Sequence, residues 1–354
     1  MLSVIVPTRN RAELLELALH SLAQQTLSPS NFEIIVVDNG SRDSTSAVAA
    51  QFEKRSAGRI RYVYEASPGL HVGRHYGLRK ADGDIVVFMD DDIEAFPTLL
   101  STIAAAFEDS QTALVGGKCL PKHEGPAPEW LSAMWAPNAH GERILGYLSL
   151  IDLGEFPKLV DPVLVFGCNF SIRRSVLVEA GGFHPDGVPQ RYIRFRGDGE
   201  TYVSRYIARR GYKALYHPGA SIYHHVPRSR TTLEYLCQRA YNQGISNSYT
   251  NIRTTHGLDS DVQSSKGATQ HSDRARRKKI GEIISSMQNR AARLLQIRPT
   301  EELIKFQDIY LGAIAAAYEA GYAFHQAAAH ESEMLLEWVL RSDYWDAQVP
   351  SEVR

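Results

Sequence analysis

Four long apolar runs, LSVIVP, FEIIVVD, IRYVYE and DIVVFM, recur through the first 117 residues, and each is followed by an amphipathic stretch. All four read as strands, and the unbroken run 85–89 as a strand buried on both faces, because hydrophobic alternation appears only where one face meets water. The stretches between them have helical spacing. In NRAELLELALHSLAQQ, Leu15, Ala18, Leu19 and Leu22 share one face, and Asn10 and Glu13 stand at N-cap and N3 spacing. STSAVAAQFEKRSAG predicts a second helix ending at Gly58, and GLHVGRHYGLRKADG a third closed by Gly83. PTLLSTIAAAFED predicts a fourth with Pro97 at its start. Strand–helix alternation at this spacing implies an α/β fold, a mostly parallel sheet with helices on both faces. In such sheets ligands bind beyond the carboxyl ends of the strands.

That rule gives weight to IVVFMDDDIEA, where the apolar run 85–89 meets Asp90, Asp91 and Asp92. Adjacent carboxylates repel one another unless a cation or hydrogen-bond donors neutralise them. Asp is common at turns and helix starts, but this position, at a strand's carboxyl end, favours a ligand site. Hard oxygen donors suit Mg²⁺ or Mn²⁺. Asp38 closes the second run in VVDNGSRD, a second strand end that favours a ligand site over a simple Asx-turn before Asn39-Gly40. A later acidic pair, Asp198 and Glu200, opens ETYVSRYIARRGY, whose Gly211 fits a helix stop. First-turn acids also complement the helix dipole. KALYHPGASIYHH reads as edge strands split by a Pro-Gly turn.

The 354 residues suit one large domain or two. A net charge of −1 gives no case for nucleic acid as a partner. Cys119, Cys168 and Cys237 are few and far apart, with no zinc spacing or disulfide framework, so a reducing compartment is expected. The chain opens directly on LSVIVP, so no signal peptide is expected, and no long charge-free window predicts a membrane-spanning helix. Residues 118–165 lose the alternation, and Trp130 and Trp135 read as core anchors ahead of sugar-stacking platforms. After residue 230 the pattern turns helical, interrupted by a polar, turn-rich stretch at 254–273 and a basic amphipathic one beginning RARRKK.

Taken in order, SVIVPTRNRAELL, EIIVVDNGSRDST, GLHVGRHYGL, VVFMDDDIE, GCNFSIRRSVLVEAGGF, GDGETYVSRYIARRGY and YHHVP resemble the family 2 glycosyltransferases, over roughly residues 2–245. The resemblance implies a GT-A fold, Rossmann-like, at 1–250, with a nucleotide-binding half at 1–117 and an acceptor half at 118–250. A linker or mobile loop at 251–273 and a helical C-terminal extension at 274–354 follow. It implies inverting transfer from a nucleotide-diphosphate sugar, with UDP the expected carrier, to a glycan or lipid-linked acceptor in polysaccharide synthesis. Carried over by position, Pro7, Thr8 and Arg9 line the nucleotide cleft, Asp38 accepts from the base, and Arg74 lies near the base or diphosphate. Asp90 or Asp91 meets the ribose, and Asp92, with Asp90, holds Mn²⁺ or Mg²⁺. Both registers, 90/92 and 91/92, stay open. Family members usually carry Glu-Asp at the start of the late helix. Here the string is Asp198-Gly199-Glu200, and Glu200 stands eleven residues before Gly211, so Glu200 is the expected general base and Asp198 the alternative. His224 is the expected late metal ligand, with His225 the alternative.

Two rivals fit less well. A nucleotidyltransferase would share the cleft and metal acids but needs a Gly-rich basic segment after the first strand, and PTRNRAELL has no Gly. A non-catalytic nucleotide- or carbohydrate-binding module has no use for base acids. The expected location is cytoplasmic. For the basic stretch at 274–297, helix packing or homo-oligomer formation ranks ahead of peripheral contact with the inner face of the membrane.

Overall fold

A computed structural model describes residues 1–56, 58–259 and 310–350; the basic stretch at 274–297 and the linker from 260 lie outside them. The expected alternation forms: β1 (Leu2–Thr8), α1 (Ala12–Ala23), β2 (Phe32–Asp38), α2 (Thr45–Arg55), β3 (Ile60–Tyr64), α3 (Leu70–Lys80) and β4 (Ile85–Met89). Next come β5 (Ile93–Ala95), α4 (Leu99–Ala106), β6 (Thr112–Gly116), β7 (Cys119–His123), α5 (Glu129–Met134), β8 (Arg143–Leu145), β9 (Leu150–Asp152) and β10 (Lys158–Leu159). Then follow β11 (Asn169–Arg173), α6 (Arg174–Glu179), α7 (Glu200–Arg209), β12 (Lys213–Tyr216), β13 (Ile222–Val226), α8 (Leu233–Thr255), α9 (Leu311–Glu331) and α10 (Glu333–Val339). The chain divides into two compact units, one of Met1–Lys122, Ser149–His225 and Glu337–Arg354, the other of His123–Leu148 and Val226–Leu336.

In the first unit an eight-stranded sheet has the order β10-β12-β6-β11-β4-β1-β2-β3. β4, β1, β2 and β3 run parallel, and β11 is antiparallel to both β4 and β6. Every residue of β1, β2 and β4 is buried, Ser3 and Glu33 included, whereas in the edge strand β3 only Ile60 is. Chain order reverses beside β1: β2 and β3 lie to one side and β4 to the other, so the crevice opens at the carboxyl ends of β1 and β4. Helix α3 lies close on this sheet because Gly77 has no side chain; a Cβ there would fall 2.4 Å from Ile5 Cγ2. A smaller sheet carries β13 alongside β5, pairing His224 with Ile93 just after the three acids.

Three local expectations are corrected. No capping box forms at Asn10 and Glu13. Asn10 instead turns the chain at φ +54° and its side-chain oxygen accepts the Arg42 N–H at 2.7 Å, while Asp43 Oδ2 accepts the Ala12 N–H at 3.2 Å. The loop after β2 therefore caps α1 from outside its own sequence. Pro97 precedes α4 rather than starting it, because Thr98 is the cap and the Pro97 carbonyl accepts the Thr26 N–H. β12 and β13 are not edge strands: β12 lies between β10 and β6, and β13 belongs to the other sheet.

In the second unit α8 and α9 pack together, and Ser248 Oγ lies 2.7 Å from His325 Nδ1, both fully buried. Trp130 is buried and meets the Tyr310 ring edge-on, as a core anchor. Among the described residues no helix is long and apolar enough to cross a membrane.

Candidate active site

The end of β1 and the end of β4 are tied by charge. Thr8 Oγ1 donates to Asp91 Oδ2 at 2.8 Å. Arg11 Nη1 reaches Asp91 Oδ1 at 2.8 Å and Asp92 Oδ2 at 3.0 Å, so one guanidinium bridges two of the three acids. Burial works against the Arg11 charge, but Asp91 and Asp92 more than offset it and hold its pKa above the ordinary value. Burial pushes the Asp91 carboxyl up to about 6, against the pull of Arg11. The repulsion expected of three adjacent acids is thus relieved in part by a cation from the loop after β1.

His224 and His225 sit on β13, where successive side chains face opposite ways. His224 Nε2 lies 3.3 Å from Asp92 Oδ1. His225 Nε2 lies 2.6 Å from Glu94 Oε1 instead. A carboxylate oxygen and an imidazole nitrogen at this separation fit one divalent cation, whose neighbouring ligands stand about 3 Å apart in octahedral geometry. Among the described residues no three His, Cys, Asp or Glu side chains converge to hold a metal. Ions such as Mg²⁺ commonly rely on one or two protein groups plus substrate phosphates, so the Asp92–His224 pair fits the group.

The other acids gather around Arg74, which α3 buries almost completely. Arg74 Nη2 donates to the Gly167 carbonyl at 3.0 Å and lies 3.4 Å from Asp90 Oδ1; Nη1 lies 3.4 Å from Glu200 Oε2. The Gly167 N–H donates to Glu200 Oε1 at 3.2 Å. Burial opposes the Arg74 charge, yet Glu200, Asp90 and Asp186 hold its pKa above the ordinary value. Asp90 and Glu200 therefore share one guanidinium, and their side chains keep 31% and 25% of their surface exposed. Asp198 faces elsewhere. It is buried, 2.7 Å from His184 Nδ1 and 3.1 Å from Arg205 Nη1.

At the far end, Asp38 Oδ1 accepts the Ser41 N–H at 2.7 Å in a local turn, and Oδ2 accepts the Tyr62 hydroxyl at 2.9 Å. Asn39 pins the loop after β3, donating to the Glu65 and Ser67 carbonyls and accepting the Gly69 N–H. Pro7 is buried against α3, and Arg9 is exposed. The sequence reading did not single out Arg11, Tyr62, His184 or the Gly167 backbone. Arg11 had a usable signal: β1 neighbours β4, so a cation just past its end is placed to meet the acids.

Residues 3–180 match the family described as Glycosyl transferase family 2. A stretch of 130 residues is 36% identical to validoxylamine A glucosyltransferase of Streptomyces hygroscopicus subsp. limoneus, covering 36% of this chain and 25% of that protein. Another of 126 residues is 39% identical to the GalNAc(5)-diNAcBac-PP-undecaprenol beta-1,3-glucosyltransferase of Campylobacter jejuni, covering 35% of this chain and 40% of that protein. The match thus spans a quarter to two fifths of these relatives' lengths. A mannosyltransferase from Pyrobaculum calidifontis, solved in complex with GDP-Man and Mn²⁺, superposes with a TM-score of 0.56 at 18% identity, covering 92% of this chain and 86% of that one. At this identity the likeness is one of fold, and the fold is GT-A.

Proposed function

We propose the following reaction for a chain that belongs to glycosyl transferase family 2: it moves a sugar from a nucleotide-diphosphate donor, UDP-linked, to an acceptor hydroxyl, with inversion at the anomeric carbon. One observation carries the assignment of roles. Asp90 from the end of β4 and Glu200 from the start of α7 share Arg74 and both keep an open face. Glu200 is the general base. It removes the acceptor proton as the hydroxyl oxygen attacks the anomeric carbon and the bond to the diphosphate breaks, a contribution of roughly 10²–10⁴ in rate. One displacement inverts the centre, so one base suffices. Arg74 and the Gly167 N–H orient the Glu200 carboxylate. Asp90 has the open face expected of a ribose contact. Asp91, tied to Thr8 and Arg11, fixes its neighbours. Pro7, Thr8, Arg9 and Asp38 border the nucleotide.

A divalent cation, Mn²⁺ or Mg²⁺, offsets the charge that develops on the leaving diphosphate when bound. Asp92 and His224 would hold it. The mannosyltransferase bound to GDP-Man and Mn²⁺ supports a nucleotide-sugar donor and a metal. The undecaprenol-linked name of the Campylobacter relative supports a lipid-linked acceptor and a role in cell-envelope glycans. A cytoplasmic site of action suits these substrates. For residues 274–297 we keep subunit or helix packing ahead of membrane contact. Incubation with a panel of labelled nucleotide-sugars tests the reaction: metal-dependent release of nucleoside diphosphate is expected, and release of pyrophosphate would overturn it.

A further inference from the structure

Asp198 and Glu200 are two residues apart but serve different surroundings. Gly199 between them adopts φ +55°, a conformation that side-chain-bearing residues rarely tolerate, and a Cβ there would lie 3.1 Å from the Asp186 side chain. The turn sends Glu200 towards Arg74 and Asp198 inward. A glycine turn of this kind has little stiffness of its own, so its geometry depends on what holds its two ends. Gly167 holds Glu200. Asp198 is held by His184 and Arg205.

His184 is itself clamped. Its ring stacks on Tyr202 of α7 at 3.7 Å, and Tyr344 meets it at 5.3 Å and 70°. The Tyr344 hydroxyl donates to the Trp338 carbonyl, and Trp338 Nε1 donates to the Phe195 carbonyl at 2.9 Å, three residues before Asp198. Trp338, Tyr344 and His184 are all nearly inaccessible to solvent. The segment from 338 to 344 lies outside the matched residues 3–180 but belongs to the unit that carries the site.

We infer that Asp198, clamped by His184 and Arg205 beneath this C-terminal segment, is a positioning residue that sets the reach of Glu200 into the cleft. The inference rests on Glu200 being the base. Asp198 itself is buried with its oxygens committed to His184 and Arg205, so it does not meet the acceptor. A displacement of about 1 Å in a reacting group can cost roughly 10²-fold in rate, and loosening this clamp shifts the group next to a flexible glycine.

The test uses the full chain and the nucleotide-sugar that the donor panel shows to be turned over. Asp198→Asn should lower kcat roughly 10- to 100-fold, leaving donor KM and the thermal shift given by UDP with Mn²⁺ within about twofold of wild type. Arg205 is 31% exposed, so Arg205→Gln keeps the fold. It should lower kcat in the same direction, and Arg205→Lys should restore most of it. Trp338→Leu should reproduce the kcat loss from the tail. Unchanged kcat in Asp198→Asn and Arg205→Gln would overturn the inference, as would losses that only follow the fraction of folded protein. Glu200→Gln, measured alongside, separates the two readings: if it turns over normally while Asp198→Asn does not, Asp198 is the base and the positioning role is wrong. If Glu200→Gln alone is dead, the base reading stands and the clamp fails.

Discussion

The two acid clusters of the first unit, one at the end of β4 and one at the start of α7, solve the same problem differently. At β4 the charge is met by side chains from distant segments: Arg11 from the loop after β1, Arg74 from α3 and His224 from β13. At α7 it is met by a backbone N–H from Gly167, a shared Arg74, and the His184–Arg205 clamp on Asp198. Each cluster leaves one acid open and encloses the rest, Asp92 being buried beside Asp91. Asp91 and Asp198 are buried and bound by protein groups, whereas Asp90 and Glu200 keep exposed faces. Contact with substrate thus follows from which carboxylate oxygens the protein leaves open, and not from the residue's place in a motif.

The hardest test of that division is Glu200→Gln. Turnover should fall roughly 10²–10⁴-fold, with donor affinity retained; near-normal turnover would remove the distinction between open and enclosed acids. Acid should then reveal that the α7 side is the less robust. His71 and His75 pack against residues 183–186 and are held neutral by burial, His71 with its pKa lowered to about 4. An unfolded His protonates near 6.5. Between these values the unfolded chain binds more protons, so the stabilisation is complete above about pH 6.5 and is lost as pH falls towards 4. For His71 alone the loss approaches about 3 kcal/mol. Urea titrations at pH 7 and pH 5 should register about 2 kcal/mol of it. Amide exchange should rise first around 183–200, and equal protection loss at 85–92 would count against an asymmetry between the clusters.

Asp92→Asn addresses the β4 cluster. In wild type, UDP with Mn²⁺ at about 100 times its Kd should stabilise by about 2.7 kcal/mol, and the variant should lose the metal-dependent share. An unchanged thermal shift would show that Asp92 holds no metal. The smallest effect is expected from Arg11→Gln. Removing this partly exposed cation from two buried acids should destabilise the metal-free protein by about 1 kcal/mol, well below the loss for a fully buried pair. Mn²⁺ should restore part of it, and destabilisation indifferent to metal would mean that Arg11 and the metal do not share a charge site.

The sequence alone determined the strand–helix alternation of the first half, the buried character of β4, the placement of Asp38 and Asp90–Asp92 at strand ends, and the Gly211 stop after α7. These are properties of hydrophobic runs, of periodicity and of glycine stereochemistry, all contained within a few neighbouring residues. Tertiary structure alone decided that Arg11 serves Asp91 and Asp92, 80 and 81 residues away, that His224 and not His225 meets Asp92, that β12 and β13 part into different sheets, and that Tyr344 meets His184 while Trp338 bonds the Phe195 carbonyl. The physical reason is that a counter-charge or an aromatic clamp needs only proximity in space. Proximity follows from strand order and crossovers, which bring β1 beside β4 and the C-terminal segment back to α7, and no local pattern encodes either meeting.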